Sequence, residues 1–366
     1  MESSIKCENI RLVIFGESHS PEIGVTVDGL PEGIAVDEEK LAAFMARRAP
    51  GRDKFSTQRK EADEVVFSSG ISQSHTNGFS VCGIIHNQNQ RSKDYSELWD
   101  KPRPGHADYT ARIKYGEKHD IAGGGHFSGR LTAPLCIAGG ICFQWLESMG
   151  ITIGAHIASI HGIEDKKFDS VNISAQELNA LKEKPFTCID DEAAEKMQAE
   201  ITAARLDSDS VGGTVECAVV GLPVGLGGPL FSGLEGRIAQ LVFGIPAVKG
   251  VEFGAGFEAA TLFGSENNDE FYFDENGTVK TRTNNCGGIL GGISNAMPLI
   301  FTAAFKPTPS IAKTQNTISF ENKENTTLNI VGRHDPCIVQ RAVPVVEAAA
   351  AIAIADLMIS HLKDSE

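Results

Sequence analysis

Two signatures that would place a protein in a membrane or around a metal are missing from this 366-residue chain. A membrane-crossing helix needs roughly 18 to 20 consecutive apolar residues, and no uninterrupted run reaches that length. The eight cysteines (Cys7, Cys82, Cys136, Cys142, Cys188, Cys217, Cys286 and Cys337) include no CxxC pair, which argues against a zinc ribbon or a dithiol redox motif. Several fall in apolar runs, where a reduced cysteine is a small buried hydrophobe. The opening MESSIKCENIRL has no apolar core of signal-peptide length, so the expected location is cytoplasmic. No low-complexity linker interrupts the chain, and residues 1–366 are expected to form a single domain.

Positive charge is scarce as well. Against 48 acidic residues stand 33 Lys and Arg, a formal charge of −15. Such a balance opposes non-specific binding to nucleic acid or an anionic membrane surface. A phosphorylated small molecule would have to meet a local cluster of cations. Arg47, Arg48, Arg52, Lys54, Arg59 and Lys60 supply one within a short segment, while acids concentrate between Glu164 and Glu200.

What is present reads as mixed helix and strand. VDEEKLAAFMARR from Val36 puts Asp37 at an N-cap, acids in the first turn, Leu41, Phe44 and Met45 on one face and arginines in the last turn. Ser128 to Met149 reads as a second long helix, Ser174 with Glu177 as a capping box for a third, and Leu234 to Phe243 as a fourth. The Ala-rich tail from Val343 to Leu362 is apolar nearly all round and predicts a buried helix with Pro344 in its first turn. Strands are expected at Arg11 to Phe15, Gly24 to Val27, Glu64 to Ser68, Phe79 to His86, Ile151 to Ile160, Gly213 to Val220, Val248 to Phe253 and Leu299 to Ala304. Without regular strand-helix alternation the class is α+β. Glycine-rich turns before a helix are read at Gly123 to Gly125 and at Gly287 to Gly292.

Dense polar chemistry sits in a few blocks. GESHS places Ser18 and His19 directly after the strand RLVIF, where they are either a solvated turn or side chains reaching a ligand. In RPGHADYT, Pro104 and Gly105 shape the backbone before His106, and Asp108 can orient that ring, cap a helix running to Tyr115, or do both. RRAPGRDKFSTQR is a solvated charge run or an anion site at a helix C-terminus. GGGHFSGRLT is a flexible turn or a phosphate loop leading into a helix. GAGFEAA satisfies GxGxxA, but the polar segment after it lacks the continuation a dinucleotide fold needs. KPTPSI, from Lys306, and GRHDPC, ending at Cys337, add a lysine, hydroxyls, Arg333, His334 and Asp335.

These blocks, with the run from Gly16 to Pro31, the segment NQNQRSKDYSELWDKPRPGHADYTARIKYG from Asn87, CGGILGGIS from Cys286 and RAVPVVEAA, together resemble the chorismate synthase family. The resemblance runs from about Asn9 to the C-terminal helix and is thinnest between Ala155 and Val211. It implies helices sandwiched between two antiparallel sheets, a homotetramer, and an enzyme using reduced FMN. The implied reaction turns 5-enolpyruvylshikimate 3-phosphate into chorismate and phosphate by a 1,4-anti elimination. It also implies residue roles: His19, His106 and Asp335 catalytic; His126, Phe127, Ser128, Ala247, Gly291, Lys306, Pro307, Thr308, Pro309, Ser310 and Arg333 on flavin; and Arg48, Lys54, Arg59 and Arg130 on the phosphorylated substrate or NADP. Lys54 stands where the family usually has arginine, and His126 and Phe127 where it usually has arginine and serine. If His126 takes over the arginine's part, FMN should bind more weakly at pH 8 than at pH 6, and His126→Arg should restore affinity. The rival classes are a flavin- or NADPH-dependent oxidoreductase, which would consume reductant stoichiometrically, and a non-catalytic phosphate-binding protein, which would need neither His19 nor His106.

Overall fold

A computed structural model describes residues 3–51, 63–87, 97–116, 119–330 and 335–364. Strands β1 (Ser4–Lys6), β2 (Arg11–Gly16) and β3 (Glu22–Asp28) precede helix α1 (Glu38–Arg48), and β4 (Val66–Ser69) and β5 (Val81–His86) follow it. They form a five-stranded antiparallel sheet in the order β1-β2-β3-β5-β4. Helices α2 (Asp108–Tyr115) and α3 (Thr132–Ser148) lead to β6 (Thr152–Ile160) and β7 (Ile163–Glu164). Then come α4 (Ala175–Lys182), α5 (Asp191–Leu206), β8 (Gly213–Val220), α6 (Leu234–Phe243), β9 (Val248–Phe253), β10 (Leu299–Phe305) and α7 (Val339–Asp364). The second sheet, also antiparallel, runs β9-β10-β8-β6-β7.

The helices α1, α3 and α7 fill the space between the sheets. On α1, Asp37 accepts hydrogen bonds from the backbone N–H of Glu39 and Lys40, both at 3.0 Å, and so caps the helix as its sequence predicts. Its buried face carries Leu41, Phe44, Met45 and also Arg48, one more step along the same helical stripe. α3 packs on the first sheet and α7 on the second. They meet at Gly139, where an added Cβ would stand 2.3 Å from the Cβ of Ala348; only glycine lets the two backbones approach so closely. In β8, Val215, Cys217 and Val219 face this core, while Ala218 faces a smaller cluster with Leu178, Leu181 and Ile300 beneath α4. The second sheet is therefore covered on both faces.

α7 is the one helix among the described residues long and apolar enough to cross a membrane, and its apolar window is wholly buried inside the protein. It begins at Val339, so Pro344 lies beyond the first turn, where its missing N–H leaves the Gln340 carbonyl without its intrahelical partner. One other expectation changes. The glycines from Gly287 to Gly292 belong to the hairpin Ile289–Leu290 and Ile293–Ser294 and precede no helix. GAGFEAA opens a 3-10 turn after a strand that is antiparallel to its neighbour, in agreement with the missing dinucleotide continuation. All eight cysteines are free; burial pushes the thiols of Cys136, Cys142 and Cys337 up to about 12.

One buried ionic cluster fastens the second sheet. His156, fully buried, places Nδ1 2.9 Å from Asp165 and Nε2 2.9 Å from Glu216. Asp165 also accepts the N–H groups of Ile189 (2.6 Å) and Asp190 (2.8 Å), and Glu216 that of Phe168 (2.9 Å). Burial opposes the imidazolium, but the two carboxylates outweigh it and raise the His156 pKa. Burial likewise opposes the Asp165 carboxylate, yet His156 and the backbone donors lower its pKa. A raised histidine contributes stability in full below its unfolded pKa of about 6.5 and loses it as pH climbs through the folded value. The depressed aspartate contributes above about 3.9 and loses its share in acid. His156→Gln should therefore cost more at pH 6, about 3–5 kcal/mol, than at pH 9. Urea midpoints of both proteins at the two pH values check this, and an equal difference at both would refute the charged cluster.

Candidate active site

A cavity of about 620 Å³ opens where the sheets' edges, α1, α3 and α7 converge. Its walls come from the end of α1 (Arg48), the loop before α2 (Arg103, His106), the glycine loop before α3 (Phe127, Ser128, Arg130), the segment before β9 (Pro246, Ala247), the segment after β10 (Lys306, Thr308, Pro309, Ser310) and the start of α7 (Asp335, Arg341). Phe305, Val248, Ile338, Ala342 and Val345 give it an apolar side. Such a mixture suits an amphiphilic ligand with an anionic group, in the size range of about 300–1,000 Å³ usual for small-molecule sites.

Cations line it in paired form. The Arg48 side chain, 2% exposed, donates to Asp63 at 2.6 Å, and Arg130 donates to the other oxygen of the same carboxylate. Burial pulls the Arg48 pKa down to about 10 against the attraction of Asp63, so it stays charged at neutral pH. Arg341 donates to Asp335 at 2.5 Å and to the Arg48 carbonyl at 3.0 Å. Burial, with nearby Lys249, lowers the pKa of Lys306, whose Nζ donates to the Gly105 carbonyl at 3.0 Å. Arg47 is different: it forks onto Glu347 at 2.5 and 2.9 Å inside the core and does not line the cavity.

The histidines divide. His106 lines the cavity, with Nδ1 2.5 Å from Asp108. Asp108 is not the helix cap; Ala107 occupies that position without a side-chain bond, and the Asp108 carboxylate turns back to Arg103 and His106. Burial opposes its charge, but hydrogen bonds from Arg103 and His106 prevail and hold it far below the ordinary carboxylate range. His19 lies behind the wall, its ring against Gly123: an added Cβ there would stand 2.2 Å from His19 Cε1. Gly123, Gly124 and Gly125 all take positive φ, which brings this loop around the ring.

Not every expected residue has a side chain available to the cavity. His126 borders it, but Nδ1 donates to the Gly16 carbonyl at 2.7 Å and Nε2 is taken by the Ser3 hydroxyl. Pro307 is exposed and does not line the cavity. Gly291 sits in an exposed hairpin turn away from it. Lys54, Arg59, Arg333 and His334 lie outside the described residues. Arg103 and Arg341 were not among the candidates drawn from sequence. Arg103 stands in the RPGHAD block itself, and its nearness to His106 was the available signal; Arg341 carried none, since its partners lie elsewhere in the chain.

Two antiparallel sheets around a helical layer, with histidines, a carboxylate and cations gathered at one cavity, define an α+β enzyme. The family model described as chorismate synthase matches residues 10–359. A chorismate synthase of Lancefieldella parvula is 45% identical over 364 residues, covering 96% of this chain and 95% of that protein. One from Methanocaldococcus jannaschii is 44% identical, with 95% and 94% covered. A solved structure titled as the crystal structure of chorismate synthase superposes with a TM-score of 0.75 at 27% identity, over 98% of this chain and 93% of that one. The chain belongs to the chorismate synthase family, whose members are lyases of the shikimate pathway associated with a flavin.

With both ring nitrogens of His126 already bonded, the ring has no hydrogen-bonding atom left to offer a ligand in the cavity. His126→Arg should bring no gain in FMN affinity at pH 8 and leave the ratio of affinities at pH 6 and pH 8 as in the wild type. Fluorescence titration of FMN reads both quantities, and a clear gain at pH 8 would return His126 to the cofactor.

Proposed function

We propose that this enzyme converts 5-enolpyruvylshikimate 3-phosphate to chorismate and phosphate by a 1,4-anti elimination, with reduced FMN bound in the cavity. The observation that carries the reading is convergence: His106, Asp335, Arg48, Arg130, Arg341 and Lys306 border one cavity with an apolar side. The residues fit a flavin. Thr308 Oγ1 is buried there with no hydrogen-bond partner among the described residues, and Ala247 adopts φ +75°, a strained value for a residue with a side chain and one that clusters at functional sites.

Lys306, Thr308, Pro309, Ser310, Phe127, Ser128 and Ala247 would hold the FMN, joined by Arg333 on the strength of the family resemblance. Neither Gly291 nor Pro307 has support as a contact within its own chain. Arg48 and Arg130, with Lys54 and Arg59 by resemblance, would meet the phosphate that leaves and offset its growing charge. An NADP phosphate could use the same cations. The proton to be removed sits on an unactivated carbon, too weak an acid for a side-chain base alone. Reduced FMN, when bound, supplies electron density that is afterwards returned, so no net oxidation results. By the family resemblance alone His19, behind the Gly123 loop, would donate a proton to the departing phosphate, while His106 would hold a proton at the cavity wall and Asp335, fixed by Arg341, would act beside the flavin.

We take the enzyme to be cytoplasmic, a reading supported by its eight free cysteines. We also infer a homotetramer. The Ala-rich segment cannot supply the interface, because it is buried within α7. Support comes from bulky apolar side chains left in water: Phe231 is 99% exposed, Phe257 83% and Phe263 77%.

Anaerobic incubation with 5-enolpyruvylshikimate 3-phosphate and photoreduced FMN should yield chorismate and phosphate in equal amounts without stoichiometric consumption of reductant. Folded protein that gives no product under these conditions would refute the lyase reading. His19→Ala and His106→Ala should each keep FMN binding while turnover falls about 10²- to 10⁴-fold. Light scattering at micromolar protein should give the mass of four chains; a monomer would contradict the assembly.

A further inference from the structure

The carboxylate of Asp108 is shared in an instructive way. Arg103 donates to both of its oxygens, Nε at 2.7 Å to one and Nη2 at 2.7 Å to the other, and the Arg103 backbone N–H adds a third bond at 3.0 Å. His106 Nδ1 approaches the second oxygen at 2.5 Å. Asp108 and Arg103 are each 5% exposed, so water does not compete for these groups. Arg103 Nη2 also stands 3.0 Å from His106 Nδ1. A guanidinium can only donate, and an ionised carboxylate can only accept. At 2.5 Å from that carboxylate, Nδ1 must carry a proton, and its approach to Arg103 is then a contact of two donors sharing one acceptor.

We propose that Asp108 is a positioning residue that keeps the His106 proton on Nδ1 and leaves Nε2, beside Gly124, as the nitrogen that gives and takes protons in the reaction. This role rests on the function proposed above. When the imidazolium releases its Nε2 proton, the ring is left as the neutral Nδ1–H form with its bond to Asp108 intact. Nothing has to turn or re-form between proton donation and recharging. The grip extends further: Arg103 Nη1 donates to Ser310 Oγ at 3.1 Å, and Lys306 Nζ holds the Gly105 carbonyl at 3.0 Å. The loop bearing His106 is thus tied at two points to the 306–310 segment that lines the same cavity. A displacement of that segment is transmitted to the acid's ring.

Long-range proton–nitrogen spectra of the protein labelled with ¹⁵N-histidine, without substrate or flavin, read the tautomer directly, and His106→Gln identifies the His106 signals by their loss. Wild-type His106 in its neutral form should show the proton on Nδ1. Asp108→Asn, whose amide cannot satisfy both Arg103 and the ring, should move the proton to Nε2 and lower kcat about 10²-fold with KM little changed. Asp108→Glu, which restores the carboxylate, should recover part of both. Arg103→Lys, which removes the fork but leaves the carboxylate as the ring's acceptor, should keep the proton on Nδ1, and the wild-type spectrum alone decides the tautomer if Asp108→Asn fails to fold. A wild-type ring protonated on Nε2, or an Asp108→Asn protein with wild-type tautomer and kcat, overturns the proposal. If no variant, wild type included, makes chorismate while the spectra behave as stated, the lyase reading falls and the positioning of the ring stands.

Discussion

Two carboxylates buried in the apolar middle of one helix hold this molecule together. Glu347 and Asp356, both fully buried, stand nine residues apart on α7. Glu347 receives the Arg47 fork from α1 and the Ala155 backbone N–H from β6. Asp356 receives the N–H groups of Glu8, Asn9 and Ile10 from the connection between β1 and β2, and Arg237 from α6. Removing either partner would strand a charge in the core, which is why such bonds define geometry more strictly than apolar packing does. Through them one helix fixes both sheets, and the close passage of Gly139 over Ala348 sets how far apart they lie.

The cavity inherits that rigidity. Its arginines do not wait unpaired: Asp63 lies between Arg48 and Arg130, and Asp335 holds Arg341. A cation already held by a carboxylate keeps its position in the absence of substrate, so little reorganisation is needed when an anion arrives. The same economy explains why Arg48 can sit on the buried face of α1 with Leu41 and Met45. Its helical spacing makes it part of the core, and Asp63 compensates its charge there.

Much of this was legible from sequence where the controlling contacts are local. The Asp37 cap and the Ser174 and Glu177 box depend on neighbours within a few residues, the strands Gly213–Val220 and Val248–Phe253 show in their own run of strand-forming residues, and all stand where the pattern puts them. His106 could be read for the same reason. What the sequence left open or did not reveal depends on contacts that the local pattern does not carry. For Asp108 the sequence offered two roles, orienting the His106 ring and capping α2; the first is observed and the second is not, because the carboxylate turns back to His106 and to Arg103. His126 looked available for a cofactor because its partners, Gly16 and Ser3, are 110 and 123 residues away. Arg341 was invisible among apolar neighbours, since its value lies in reaching the Arg48 carbonyl across the fold. Pro344, a residue favoured in a first turn, makes the sequence place the start of α7 at Val343, whereas the helix begins at Val339 and runs through the proline.

The buried thiols give the fold a set of internal clocks. Cys136 and Cys142 lie on α3, Cys217 at the centre of the second sheet and Cys337 ahead of α7, and in each burial suppresses the thiolate, the only form that reacts with an alkylating reagent. Each can therefore be labelled only when its own part of the structure opens. The order in which they react under mild denaturant is a map of which layer parts from which, written by the chain itself without an added probe.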